Sequence, residues 1–189
     1  ITNHIPETVP GFDHALDVAQ ICDELHEGVP STLIGRDRMQ YIAEQLKTLS
    51  MQKRGYLREL MEGFMQHVIE AGASDLDAGA DAARGHIWLR IDGEKKACNK
   101  LGRYTYDDTN ILSLNLLTES QIGRLLDRYS VDLSYQVMAG VDLGTWHRFR
   151  VTVYFDNDNL AINMRAIGNE LRRMEGLGFH PHVPVSYTH

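Results

Sequence analysis

Two arginines in the second half of the chain are spaced to meet across a hairpin. Arg148-Phe149-Arg150-Val151 opens an apolar, β-branched run that continues to Phe155, and a second run spans Leu160 to Ile167. The polar stretch Asp156-Asn157-Asp158-Asn159 between them is a turn signal. An antiparallel hairpin closed there sets Arg150 opposite Arg165. Two guanidiniums so close repel each other unless an anion lies between or beside them. A carboxylate such as Asp132 could serve, and so could a phosphate brought by a ligand or partner, because the planar fork of arginine matches both.

Other chemistry-bearing residues form weaker groupings. His180-Pro181-His182 is the tightest pair among nine histidines, and no third ligand is near it in sequence. Cys98 stands beside Lys95 and Lys96 and reads as a half-buried strand cysteine. Ser130 and Ser134 have no histidine nearby to act as base. The chain contains no G-x-x-x-x-G-K-S/T, H-E-x-x-H, C-x-x-C or G-x-S-x-G. Two cysteines make neither a disulfide framework nor a four-cysteine zinc site. No self-contained active site assembles, so an independent enzyme is the weakest of the function classes.

The elements that must position these residues follow from periodicity. Phe12, Ala15, Leu16, Ala19, Ile21, Cys22 and Leu25 keep helical spacing until Gly28 and Pro30. From about Arg36, the residues Met39, Ile42, Leu46, Leu49, Tyr56, Leu60 and Phe64 step mostly by three and four, with Lys53 on the same seam. That run predicts an amphipathic helix packed on its own domain, with a short coiled coil as the alternative. His86 to Ile91 predicts a strand, Asp92-Gly93 a tight hairpin turn, and Glu94 to Cys98 the return. Helices are expected at about 107–116 and 119–129, the second opened by the capping-box spacing of Thr118 and Gln121. Strands at 131–137, 146–155 and 160–167 complete an α+β order.

The chain has 189 residues, with 19 Lys+Arg against 26 Asp+Glu for a net charge of −7, which argues against a nucleic-acid partner. Hydrophobic residues at 43% are enough for a substantial core. No apolar run approaches the roughly 18 residues a membrane helix needs. Residues 31–180 contain no proline, which marks them as the folded body. The chain starts at Ile1 without an initiator Met, and is expected to be a piece of something longer.

Several segments, in order, resemble the secretion ATPases of the type II/type IV pilus superfamily. Glu70-Ala71-Gly72-Ala73-Ser74-Asp75-Leu76, followed by Leu89-Arg90-Ile91-Asp92-Gly93-Glu94, is similar to that family's opening segment and hairpin. Val131-Asp132-Leu133-Ser134-Tyr135 resembles its aspartate-bearing strand. Arg148-Phe149-Arg150-Val151 through Met164-Arg165-Ala166-Ile167 resembles its arginine hairpin, and Arg172 to Phe179 the segment leading toward the ATPase core. The pilus-retraction, twitching-motility branch is the nearest in character.

The resemblance implies a fold, a partner set and a site. The fold would be a PAS-like antiparallel sheet with flanking helices (64–181), preceded by a helical N-terminal extension (1–63) and followed by a linker or tail (182–189) toward an ATPase domain beyond His189. In that family, arginines of the N-terminal domain reach nucleotide bound in the ATPase domain. The matching positions here are Arg150 and Arg165, with Arg148 a third candidate that need not face the same side. ATP with Mg would be the cofactor of the longer protein, and this chain alone would bind neither. The partners implied are its own C-terminal ATPase domain, neighbouring subunits of a homo-hexamer, and the inner-membrane platform of a pilus or secretion system. Its place would be cytoplasmic, peripheral at the inner membrane. Asp77 stands where the family has a His, residues 78–84 lack its usual Pro, and the turn 156–159 lacks its common basic residue. The alternative is a stand-alone PAS-like sensor or scaffold dimerising through its N-terminal helices.

Overall fold

Three helices, rather than the two that the apolar spacing suggests, open the fold: α1 (Ala15–Glu27), α2 (Gly35–Thr48) and α3 (Met51–Glu70). The computed structural model describes residues 13–79, 83–139 and 145–168. The long seam from Arg36 to Phe64 breaks at Leu49 and Ser50, which adopt extended backbone (ψ 146° and 155°). The Ser50 hydroxyl then accepts from the Lys53 amide at 3.2 Å and starts α3 as an N-cap. Lys53 leaves the seam to reach Glu24 Oε2 of α1 at 2.8 Å.

Beyond α3 the chain forms β1 (Asp75–Gly79), then the hairpin β2 (Trp88–Ile91) and β3 (Glu94–Ala97). Asp92 and Gly93 both take positive φ (51° and 81°) at its turn, the twist that two-residue hairpins favour. Helices α4 (Tyr106–Leu116) and α5 (Glu119–Arg128) follow, each opened by a complete capping box, at Thr105/Asp108 and Thr118/Gln121. Strands β4 (Ser130–Ala139), β5 (Thr145–Asp156) and β6 (Asn159–Ile167) close the described chain. The architecture is α+β, with one six-stranded sheet in the order β3-β2-β1-β6-β5-β4 and every neighbouring pair antiparallel.

Strand alternation gives the sheet two unlike faces. Leu76, Met164 and Val151 lie in one cross-strand row, and they are fully buried against the helices. Helix α4 is buried along almost its whole length, with β6 and β1 on one side and α1, α2 and α3 on the other. The N-terminal helices and the sheet therefore share one hydrophobic core, to which Ile21, Met39, Leu60, Ile111 and Val153 all contribute. Two buried asparagines of α4 are satisfied across elements, whereas the Ser113 hydroxyl is buried without a hydrogen-bond partner. Asn110 donates to Asn159 Oδ1 (3.1 Å) and accepts from the Leu160 amide (2.8 Å), while Asn115 exchanges bonds with Arg54 of α3.

Candidate functional site

The opposite face of the sheet is polar over most of its area, with exposed Met138, Trp146 and Ile167 at one end, and its charges lie in rows set by strand register. One row runs Lys95, Arg90, Asp75, Arg165, Arg150 and Ser134 across β3, β2, β1, β6, β5 and β4. The next row on the same face carries Trp88, Asp77, Asn163, Thr152 and Asp132. Arg150 and Arg165 are direct cross-strand partners, as the hairpin spacing predicts. Arg148 stands two residues before Arg150, so it shares this face, between Gln136 and Ile167.

Each arginine of the central pair has its own carboxylate. Arg150 Nη2 donates to Asp132 Oδ2 at 2.9 Å, the carboxylate partner that the sequence offers. Arg165 Nε donates to Asp75 Oδ1 at 2.6 Å, and Arg90 Nε lies 3.7 Å from the other oxygen, which also accepts from the Ser74 hydroxyl (2.7 Å). The guanidinium side chains of Arg150 and Arg165 remain 64% exposed, whereas that of Asp75 is only 5% exposed. Burial pushes the Asp75 carboxyl up, but the Ser74 hydroxyl and the two arginines outweigh it and hold it below the usual aspartate range. Asp132 is likewise lowered, by its bonds from Arg150 and Thr152, and Arg150 is raised in return.

Asp75 and Arg90 are the members of this site that residue patterning leaves out. Asp75-Leu76-Asp77-Ala78-Gly79 has no β-branched residue, so β1 is not marked as a strand by its own composition. Its signal is the polar alternation of Asp75 and Asp77 around Leu76, legible only once β2 and β6 are known to flank it. Cys98 is half-buried just after β3, and the Ser130 and Ser134 positions lie on the exposed polar face. His180 and His182 lie outside the described residues. Among the described residues no three His, Cys, Asp or Glu side chains are grouped to hold a metal ion, and no helix is long and apolar enough to cross a membrane.

No protein-family model matches the chain, and no curated protein does. Solved structures do match, and they define the class: the fold is that of the N-terminal domain of secretion and pilus ATPases. The crystal structure of the pilus retraction motor PilT with bound ADP is similar over 64% of this chain and 33% of its own, at 26% identity and a TM-score of 0.51. The ATPase DotB of Yersinia pseudotuberculosis is similar over 64% of this chain and 33% of its own (16% identity, TM-score 0.50), a likeness of fold alone. DotB of Legionella pneumophila gives 18% identity and a TM-score of 0.49 over 65% and 33%. The chain spans about a third of the length of each of these proteins.

Proposed function

We propose that this chain is the N-terminal regulatory and assembly domain of a hexameric secretion or pilus motor ATPase. It closes on nucleotide bound in the ATPase domain and couples hydrolysis to pilus or secretion machinery at the inner membrane. The observation that carries the reading is the exposed arginine face, with Arg148, Arg150 and Arg165 side by side on a chain of net charge −7. Arg150 spends one Nη on Asp132 and Arg165 spends its Nε on Asp75, which leaves further N–H groups of each fork for phosphate oxygens. Two of these guanidiniums are thus aimed by carboxylates before any ligand arrives, so less side-chain entropy is lost on contact.

The nucleotide fits this chain only as a phosphate seen from one side. Without a P-loop the chain offers cations and no phosphate cradle, and with no metal-holding cluster among the described residues, Mg would be held in the ATPase domain. ATP would supply the charge that draws the arginine face inward. Arg150, Arg165 and Arg148 would bind and orient that charge, and closure would exclude water around it. Residues 64–181 would form the PAS-like part shared with the motors, and 182–189 the linker. A stand-alone scaffold dimerising through its helices draws less support, because α1 and α2 already spend most of their apolar residues on the shared core, with Leu16 and the N-cap Ile34 left exposed.

Reading the gene beyond residue 189 tests this reading. A P-loop ATPase domain joined to this chain is expected. Its absence would overturn the motor and leave the sensor or scaffold.

A further inference from the structure

A second cluster lies at the other end of the molecule's chemistry, on the helix-bearing side of the sheet. It sits where the last turn of α3 meets the β2–β3 hairpin. His67 Nε2 of α3 is 3.5 Å from Cys98 Sγ, within hydrogen-bond reach for sulfur. Its Nδ1 is buried without a hydrogen-bond partner and faces Glu70 Oε2 at 3.8 Å. The three side chains line a cavity of about 520 Å3 whose apolar floor includes Leu89 and whose rim carries Lys96 and Lys100.

The arrangement has the parts of an activated thiol. A nucleophilic sulfur needs a base in contact and a third group that orients the base. With the His67 proton on Nδ1, the side that faces Glu70, the Nε2 lone pair is left for the Cys98 S–H. His67 is held in place because its side chain is only 14% exposed. The cavity is in the range of about 300–1,000 Å3 that small molecules occupy. Lys100 at its rim, with Lys96 (which also pairs with Glu94 at 2.9 Å), suits a ligand with carboxylates. Cys22 provides the contrast: it is wholly buried, and burial together with Asp108 pushes its thiol up.

We propose that Cys98 is a thiol-exchange site, at which a small carboxylate-bearing disulfide, of the glutathione disulfide type, is captured as a mixed disulfide. The Cys98 proton passes to His67 Nε2, and the thiolate attacks one sulfur of the disulfide. The Sγ–S bond forms as the disulfide S–S bond breaks, and the departing thiolate takes the proton from His67. Cys98 is oxidised and one half of the disulfide leaves reduced as a free thiol, so electrons and protons balance.

The test is the rate of mixed-disulfide formation in the 189-residue protein with glutathione disulfide at neutral pH, read by intact mass and peptide mapping. One glutathionyl group on Cys98 and none on Cys22 is expected, with His67→Gln about tenfold slower. In the folded protein, Cys98 should also prefer glutathione disulfide over neutral hydroxyethyl disulfide by more than the urea-unfolded chain does. Lys96→Gln with Lys100→Gln should erase that preference. Modification of Cys22 as fast as Cys98 overturns the proposal. So does a folded-state preference no greater than the unfolded one, which needs no variant to measure.

Discussion

Arg165 and Asp75 are cross-strand partners joined by a 2.6 Å bond, and their exposures are opposite: the guanidinium is 64% exposed, the carboxylate 5%. The carboxylate is thus a fixed anchor set into the sheet, and the arginine a charged group held by its base with its outer edge in water. Arg150 repeats the arrangement more loosely on Asp132, which is 53% exposed. The β5–β6 register puts like charges side by side, and a carboxylate on each flanking strand, Asp75 of β1 and Asp132 of β4, makes that tolerable.

Asp75→Asn should therefore cost about 1–3 kcal/mol at neutral pH, since it removes the charge that bonds Arg165 and sits beside Arg90. The carboxyl is held below its ordinary range in the folded state. Its contribution is then fully present above the unfolded pKa, near 3.9, and is lost as pH falls through the lower folded value. Urea unfolding at several pH values should show the wild-type advantage shrinking below about pH 4. A constant gap down to pH 2 would contradict the assignment.

Asn110→Ala should destabilise by about 2–3 kcal/mol, because it strands the buried Leu160 amide as well as removing the bond to Asn159. Chemical denaturation checks this. A change under about 0.5 kcal/mol would mean that water replaces the side chain.

Removing α1 and α2 should leave a chain that does not fold cooperatively. Val18, Ile21, Leu25, Met39, Ile42 and Leu46 are buried in the core that covers α4. At roughly 1.5–3 kcal/mol each, their combined loss is as large as the whole net stability of an ordinary domain. Loss of a sharp thermal transition in the chain that begins at Ser50 is expected. A truncated protein that still melts sharply would show that the sheet and α4 stand alone.

The legible parts of the fold were those with strong local signals. The Asp92-Gly93 turn, the Thr118 capping box and the hairpin turn at Asp156 to Asn159 each carry their geometry in a few residues, and the Arg150–Arg165 register followed from the last of these. The break at Ser50 was hidden because apolar spacing continues across it, and a single capping serine decides the matter. Strand β1 was hidden for the opposite reason: its five residues have little strand propensity, and pairing on both sides holds them. Without β1 as a strand, Asp75 has no place opposite Arg165, and the sequence offers a carboxylate such as Asp132 as the counter-charge. The Cys98–His67 contact joins residues 31 apart across a helix end and a hairpin, a meeting no spacing rule announces.

On the proposed reading this chain adjoins an ATPase domain, and ATP turnover by that longer protein, with Arg150→Lys and Arg165→Lys together, tests the central claim most directly. Lysine keeps a positive charge for Asp132 and Asp75 but lacks the fork that grips phosphate oxygens bidentately. The account predicts that turnover falls by at least about tenfold while the thermal midpoint of the 189-residue chain changes little. Turnover equal to that of the unaltered protein would contradict it.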